Sequence, residues 1–280
     1  MKILMTGCYG MLAHDLMKKL RSQKHEIIET EYDTMDITIL EQPLEQIHDV
    51  DLVIHAAAYT NVDAAEENYD TAYKINSLGA RNVALGCQQE NIPLLYISTD
   101  YVFGGGQKTT PYREHDPVAP LGAYGKTKYY GEQYIRSLLQ KYYIVRTAWL
   151  YGINGPNFVS TMLSLAEEND TINVVNDQIG SPTYAVDLSE GISNIIQKPA
   201  YGTYHLTNSG VCSWYEFAKT IFETAEIDVT VKPVTSEEFA RPAPRPPYSP
   251  LDNYNYRMEG HTPLPHYKDA LQRYIKEAQK

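Results

Sequence analysis

Short apolar runs alternate with longer segments of helical periodicity through the first half of the chain. The apolar runs predict strands at residues 2–6, 26–30, 52–55, 94–98 and 142–148. Helical spacing of apolar residues between them predicts helices over residues 11–22, 69–89 and 121–140. In the first helix, Leu12, Leu16 and Leu20 fall on one face. Strands that alternate with helices form right-handed crossovers, so the pattern predicts an α/β fold with a doubly wound parallel sheet.

The pattern is looser after residue 150. It predicts helices over residues 157–168, 186–197, 213–225 and 267–278, with short strands at 172–175 and 202–206. We therefore predict two domains. Residues 1–150 form the large sheet domain, which later segments complete, and residues 151–280 form mainly a smaller mixed α/β domain.

A proline-rich segment, residues 241–247, interrupts this second part and carries Arg241 and Arg245. Such a segment is consistent with a linker or with a polyproline II ligand. We favour a third interpretation, an ordered loop over a substrate, because the two arginines would suit a phosphate group.

Composition narrows the classes of function. The 280 residues are 43% apolar and 21% charged, as in ordinary globular proteins, and the net charge of −11 argues against nucleic acid or an anionic membrane surface as a partner. Three scattered cysteines, Cys8, Cys87 and Cys212, suit a reducing cytoplasm and neither a disulfide framework nor a zinc site. Neither a signal peptide nor a membrane-spanning run is evident, so we expect a cytoplasmic protein without a membrane partner.

A glycine motif lies between the first strand and the first helix. It reads Gly-x-x-Gly-x-x-Ala, with Gly7, Gly10 and Ala13 at the fixed positions. Glycine permits a tight turn, and the free amides at the start of the helix, at Met11 and Leu12, can bind a pyrophosphate. An ordinary strand-to-helix turn is the alternative, but the position of the motif favours a Rossmann-type dinucleotide site.

Acidic residues follow the second strand, where a dinucleotide site places its ribose partner. Asp36 is one candidate to bind the adenosine ribose, and Glu29 and Glu31 are others. No arginine or lysine lies between Glu26 and Glu45, which favours NADH over NADPH unless a remote cation reaches the site. Both cofactors therefore stay open.

Small residues end the third strand: His55 is followed by Ala56, Ala57 and Ala58, and then by Tyr59. Such residues let a nucleotide lie across the ends of the strands, which is where open α/β sheets bind ligands. Close packing of a helix on the sheet would also explain them. We predict that this segment contacts the cofactor.

A hydroxyl, a phenol and an ammonium group follow the fourth strand. Ser98 and Thr99 end the strand, and Tyr124 and Lys128 lie one turn apart on the next predicted helix. The Tyr-to-Lys spacing alone is weak, because a chain with 24 tyrosines should show it about once by chance and Tyr215 with Lys219 repeats it. Only the first pair accompanies a phosphate loop and a strand end.

These groups suit the reduction of a carbonyl. A nearby ammonium lowers the pKa of a phenol, which can then give its proton to a carbonyl oxygen as hydride reaches the carbon. Lys128 could also donate to the nicotinamide ribose, and the Thr99 or Ser98 hydroxyl could orient the carbonyl.

Taken together, the motifs resemble the extended short-chain dehydrogenase/reductases and, among them, the dTDP-4-dehydrorhamnose reductase family. The shared segments span nearly the whole chain: the glycine turn, Asp36-Ile37-Thr38, Ala57-Ala58-Tyr59-Thr60 with Val62, Asp63 and Glu66, Ser98-Thr99-Asp100-Tyr101-Val102-Phe103, Tyr124-Gly125-Lys126-Thr127-Lys128, Arg146-Thr147-Ala148-Trp149-Leu150-Tyr151-Gly152, and Arg245-Pro246 with Tyr248, Ser249 and Leu251.

The resemblance implies NAD(P)H-dependent reduction of dTDP-4-dehydro-β-L-rhamnose to dTDP-L-rhamnose, the last step of dTDP-L-rhamnose biosynthesis, by a monomer or homodimer. It implies a catalytic trio of Thr99, Tyr124 and Lys128. Cofactor contacts would come from Ser98, Ala57 and Tyr59, and sugar-nucleotide contacts from Asp63, Trp149 and Arg245, to which we add Tyr101. Two alternatives stay open: a related reductase or epimerase acting on another sugar nucleotide, and a non-catalytic binding subunit of the same fold.

Three positions set this chain apart within the superfamily. Sugar-nucleotide dehydratases carry Asp-Glu after the threonine, whereas here Asp100 precedes Tyr101, so the base that they use is absent. The family usually continues with Asp or Asn and Gly, but residues 104–106 are three glycines. Some members form dimers through Mg²⁺; Asp15 occupies the position of one ligand, but the sequence does not reveal a full metal site.

Overall fold

The computed structural model describes residues 1–106 and 108–279. Its strands are β1 (Lys2–Thr6), β2 (Glu26–Thr30), β3 (Leu52–His55), β4 (Leu94–Thr99), β5 (Tyr142–Thr147), β6 (Leu150–Tyr151), β7 (Thr171–Val175), β8 (Ile179–Gly180), β9 (Thr183–Tyr184), β10 (Gly202–His205), β11 (Cys212–Ser213) and β12 (Thr230–Val234). Its α-helices are α1 (Met11–Ser22), α2 (Glu41–Gln46), α3 (Val62–Glu67), α4 (Tyr69–Tyr73), α5 (Ala80–Gln89), α6 (Ala123–Leu138), α7 (Phe158–Glu168), α8 (Ala185–Ile195), α9 (Trp214–Ala225), α10 (Tyr254–Met258) and α11 (Tyr267–Ala278).

Six parallel strands form the central sheet in the order β10-β5-β4-β3-β1-β2. The chain runs outward from β1 to β2 and then crosses back to β3 on the other side of β1. The direction of winding therefore reverses between β1 and β3, which is the position where open α/β sheets bind ligands. The predicted doubly wound parallel sheet is confirmed.

Apolar residues cover both faces of this sheet. On one face, Leu16 and Leu20 of α1 meet Leu188 and Ile192 of α8. The opposite face is covered mainly by α5 and α6, which bury residues such as Val83 and Ile135. Burial on both faces explains why the strands read as nearly continuous apolar runs.

A separate apolar cluster lies in the later part of the chain, where α7, α9 and α11 pack beside the paired strands β7 and β12. Two later elements belong instead to the large sheet, because β10 pairs with β5 and α8 packs against α1. The division into two domains at residue 150, with later segments completing the first, stays a prediction.

The predicted helix over residues 69–89 is interrupted. A π-helical turn, Lys74–Gly79, joins α4 to α5. Asn76, in this turn, accepts a hydrogen bond from the Tyr59 amide at 2.8 Å and donates to the Tyr59 carbonyl at 3.1 Å. Helical periodicity does not reveal such a wide turn, which here fixes the segment after β3.

Candidate active site

A deep cleft of about 1190 Å³ opens at the carboxyl ends of β1, β3, β4 and β5. Fourteen of the residues predicted to bind cofactor or substrate line it: Gly7, Gly10, Met11, Leu12, Asp36, Ala56, Ala57, Ala58, Ser98, Thr99, Tyr101, Tyr124, Lys128 and Trp149. Tyr59, Asp63 and Arg245 are not among the lining residues. One cleft therefore gathers the predicted cofactor residues, the trio and part of the predicted substrate set.

The glycine turn is shaped for close approach by a ligand. Gly7 has a φ of +73°, and a Cβ placed there would lie 2.5 Å from the Ala57 nitrogen. Gly10 is the N-cap of α1, so no capping side chain covers the free amides of the first helical turn, at Met11 and Leu12. These amides line the cleft, and the helix dipole adds positive potential. The part of the cleft beside the glycine turn therefore fits a dinucleotide pyrophosphate.

The three acidic candidates for the ribose occupy different places. Asp36 and Glu31 line the cleft, whereas Glu29 forms an ion pair with Arg21. The Asp36 carboxylate accepts from the Thr38 amide at 2.8 Å. Glu31 accepts from the amide of Tyr9 at 2.5 Å, which ties it to the glycine turn. Asp36 and Glu31 are therefore better placed than Glu29.

The predicted trio converges where β4 and α6 meet. Thr99 is the last residue of β4, and Tyr124 and Lys128 lie one turn apart at the start of α6. Gly125 allows this approach, because a Cβ there would overlap the Tyr101 carbonyl oxygen. The Tyr124 ring meets the Tyr101 ring edge-on, with 5.7 Å between centroids. The sheet and the helix therefore hold all three side chains at the cleft.

The charge states in the trio differ from the sequence-based expectation. Burial raises the pKa of Tyr124 to about 12, although the nearby Thr99 hydroxyl opposes the rise. The Lys128 ammonium lies 4.1 Å from the centroid of the Tyr96 ring, and burial lowers the pKa of Lys128 to about 7. We expected Lys128 to lower the pKa of Tyr124. That expectation is wrong, because burial is the largest influence on both pKa values and moves each of them in the opposite direction.

Asp100 follows Thr99 at the end of β4 and also lines the cleft. Its carboxyl accepts from the Ser249 hydroxyl at 2.6 Å and from the Thr99 hydroxyl at 3.2 Å. Burial raises the pKa of Asp100 to about 7, although both hydrogen bonds oppose the rise. Ser249 follows the proline-rich segment, so this contact connects that segment to the end of β4.

Arg245 and Asp63 were predicted to face the sugar nucleotide, but they pair with each other. The two guanidinium nitrogens lie 3.0 and 2.9 Å from the carboxylate oxygens, and the Ala243 amide donates to the same carboxylate at 3.2 Å. The hydrogen bonds from Arg245 lower the pKa of Asp63, and Tyr101 of the cleft lies close enough to Arg245 to raise the pKa of the guanidinium further. Residues 241–247 therefore form a loop tied to α3 at the cleft's edge.

Both tryptophans of the chain meet in the cleft. Trp149 adopts a φ of +46°, unusual for a residue with a Cβ, and its indole stacks on Trp214 with 3.4 Å between ring centroids. The sequence predicts Trp149 as a substrate contact but gives no signal for Trp214, which begins α9 in the later part of the chain. Tyr215 and Lys219, the second Tyr/Lys pair, do not line the cleft.

Asp15 does not form part of a metal cluster in the described residues. Its Oδ1 atom lies 3.4 Å from the Asn154 side-chain nitrogen, and its buried Oδ2 atom has no partner. Within residues 1–106 and 108–279, no three His, Cys, Asp or Glu side chains are grouped to hold a metal ion.

In the same described residues, no helix has both the length and the apolar character needed to cross a membrane.

The fold and the cleft define the class of this protein, which is an oxidoreductase of the short-chain dehydrogenase/reductase type. A comparison with family models gives the narrower assignment. The model described as RmlD substrate binding domain matches residues 1–280, and the chain belongs to that family. The sequence-based resemblance is thereby confirmed.

Individual relatives match this chain over nearly its full length. The chain is 41% identical to the spore coat polysaccharide biosynthesis protein SpsK of Bacillus subtilis, over 99% of this chain and 97% of SpsK. A dTDP-4-dehydrorhamnose reductase of Clostridium acetobutylicum superposes with a TM-score of 0.97 at 45% identity, covering 100% of both chains. The Bacillus anthracis dTDP-4-dehydrorhamnose reductase in complex with NADP gives 0.95 at 44% identity, covering 99% of this chain and 100% of that one.

Proposed function

We propose that this protein reduces the 4-keto group of dTDP-4-dehydro-β-L-rhamnose, with NADPH or NADH, and so forms dTDP-L-rhamnose. The observation that carries the proposal is the convergence of Thr99, Tyr124 and Lys128 in the cleft that also holds the glycine turn. The reductase relatives with this fold, matched over nearly their full length, support the same reaction and substrate.

The residues around the cleft suit a nicotinamide dinucleotide. Gly7, Gly10 and the amides at the start of α1 would hold the pyrophosphate, and Asp36 or Glu31 would accept from the adenosine ribose. Lys128 would donate to the nicotinamide ribose. When bound, the reduced nicotinamide supplies the hydride that C4 of the sugar receives. The NADP complex of the Bacillus anthracis relative supports NADPH as the first cofactor to test.

Tyr124 is the proposed proton donor. With a pKa of about 12, its phenol keeps its proton at neutral pH and is ready to give it to the carbonyl oxygen. The carbonyl thus gains one hydride at C4 and one proton at O4, and an alcohol forms. Thr99, which lines the cleft beside the phenol, would orient the oxygen that accepts the proton. The phenolate then regains its proton from solvent.

The substrate would lie between the trio and the loop of residues 241–247. Trp149 and Trp214 offer a flat apolar wall against which a sugar or a base can pack. Because Asp63 already neutralises Arg245, we propose that this arginine shapes the loop and brings Tyr101 to the sugar, while backbone amides face the diphosphate. This differs from a simple pairing of Arg245 with phosphate.

Turnover with a panel of keto sugars tests the proposal. Purified protein is mixed with NADPH or NADH and with dTDP-, UDP- or GDP-linked 4-keto-6-deoxy sugars, and oxidation of the cofactor is followed. We expect the highest kcat/KM with dTDP-4-dehydro-β-L-rhamnose. A higher value with another nucleotide would identify a related reductase, and cofactor binding without turnover would identify a non-catalytic subunit; either result refutes the proposal.

A further inference from the structure

Behind the trio lies a buried ionic cluster. Glu132 is fully buried on α6, one turn beyond Lys128. Its two carboxylate oxygens accept from Arg146 Nε at 2.9 Å and Nη2 at 2.7 Å, and from Arg136 Nη2 at 2.9 Å. Burial alone would favour the neutral carboxyl, but Arg146, with Arg136 and a further hydrogen bond, holds the pKa of Glu132 at about 2. The carboxylate is therefore charged at every working pH.

The cluster reaches the active site through β4. The Ser98 hydroxyl donates to Glu132 Oε1 at 2.6 Å, and Ser98 lies beside Thr99 in the wall of the cleft. Arg146 is itself buried, on β5 directly beside Ser98. One carboxylate therefore fixes both the end of β4, which carries Thr99, and the first turns of α6, which carry Tyr124.

Lys128 and Glu132 are both buried and lie at positions i and i+4 of α6, on one face of the helix. The groups that face it are Tyr124 on its own helix, Tyr96 on β4 and His55 on β3. Tyr96 is uncharged, because burial holds its pKa well above the ordinary value for tyrosine. His55 is neutral, since burial lowers its pKa to about 3.

Among the influences on the pKa of Lys128, burial lowers it and Glu132 opposes the fall. A charge of opposite sign at i+4 is close enough to favour the ammonium.

We propose that Glu132 is a positioning residue for the reduction, whose charge acts on Lys128 and whose hydrogen bond fixes Ser98 in the wall of the cleft. The inference rests on the proposed function for its catalytic meaning. Glu132 does not line the cleft itself. Its influence passes through Lys128 and Ser98.

A titration of Lys128 tests this without cofactor. Protein carrying ¹³C-labelled lysine is titrated by NMR, and the Lys128 signal is assigned by its loss in Lys128→Met. In Glu132→Gln we expect the midpoint to fall by about one pH unit or more, because the opposing charge is gone. Glu132→Asp, which keeps the charge, should restore the midpoint. An unchanged midpoint in Glu132→Gln would overturn the proposal.

Glu114→Gln is the matched control. Glu114 is also buried and accepts from the amides of His205 and Asn255 at 3.0 and 3.1 Å, but it does not line the cleft. Its replacement should leave the Lys128 midpoint unchanged even if Tm falls. Should Glu132→Gln fail to fold because Arg146 loses its partner, the double variant Glu132→Gln/Arg146→Met removes both charges. The midpoint there is compared with that of Arg146→Met, which removes the same cation. A fall of the same size is expected, and equal midpoints in these two variants would overturn the proposal.

Kinetics then connect the charge to catalysis. The alkaline limb of kcat/KM against pH should move to lower pH in Glu132→Gln by as much as the NMR midpoint, with activity retained on the acidic side. A limb that does not move would refute the catalytic part of the proposal. Failure of the wild-type protein to turn over the keto sugar would instead refute the proposed function and leave the titration result standing.

Discussion

Removal of the Tyr124 hydroxyl should abolish most catalysis while leaving the fold intact. In Tyr124→Phe the ring keeps its edge-on contact with Tyr101 at 5.7 Å, so packing at the start of α6 is preserved. The phenol hydroxyl interacts with nearby Thr99, and its loss costs at most about 1 kcal/mol of unfolding free energy. For a chain of this size such a loss lowers Tm by about 2 °C.

The effect on the reaction should be much larger. A general acid typically contributes about 10²–10⁴ in rate, which corresponds to about 3–5 kcal/mol of the barrier. We therefore expect kcat of Tyr124→Phe to fall at least about 100-fold. Initial rates of NADPH oxidation at saturating keto sugar measure kcat, and thermal unfolding measures Tm on the same preparations.

Tyr215→Phe is the matched control, because Tyr215 and Lys219 repeat the spacing of the catalytic pair outside the cleft. This variant should keep kcat within about twofold of wild type, since Tyr215 does not line the cleft and its ring is retained. If Tyr124→Phe retained more than about a tenth of wild-type kcat, Tyr124 would not be the proton donor. Equal losses in both variants would also contradict the assignment.

Three further changes probe the rest of the cleft. Gly7→Ala adds a Cβ 2.5 Å from a backbone nitrogen at a φ of +73°, so the calorimetric Kd for NADPH should rise at least about tenfold. Asp63→Asn should lower the unfolding free energy at neutral pH by about 1–2 kcal/mol, because the bidentate partner of Arg245 is weakened. Since the pKa of Asp63 is lowered in the folded protein, this difference is present above the ordinary carboxyl pKa and disappears as pH falls through the folded value. Trp214→Phe should raise KM for the sugar nucleotide more than it lowers kcat, because a phenyl ring offers less apolar surface than the indole that stacks on Trp149.

Each of these has a clear contrary result. An unchanged Kd in Gly7→Ala would remove the glycine turn from the cofactor site. A stability difference for Asp63→Asn that persists in strong acid would show that the pair with Arg245 is not its source. A fall in kcat alone for Trp214→Phe would place that indole at the reacting atoms rather than in the binding wall.

The pattern of apolar residues was sufficient to locate the first five strands of the sheet in the sequence. The first three strands and the first helix fall at the predicted residues, and β4 and β5 differ by one residue at their ends. Buried parallel strands read as apolar runs, and the glycine turn marks where strand becomes helix. Short elements such as α2, α3 and α10 were not predicted, because one or two turns are too short for periodicity to detect.

The sequence predicts most of the residues of the candidate site, but it does not predict the contacts between them. The sequence identifies Tyr124 and Lys128, but it does not reveal that the ammonium lies over Tyr96 or that burial dominates both pKa values. The pairing of Asp63 with Arg245 joins residues 182 positions apart. Such contacts depend on how the layers pack, which no short motif records.

Transfer of deuterium tests the central claim most directly. The protein is supplied with NADPH deuterated at C4 of the nicotinamide, on each face in turn, together with dTDP-4-dehydro-β-L-rhamnose, and the product is analysed by NMR. The account predicts dTDP-L-rhamnose that carries deuterium at C4 of the sugar with one of the two labelled cofactors. A product without deuterium at C4 from either one, or no product with NADPH or NADH, would contradict it.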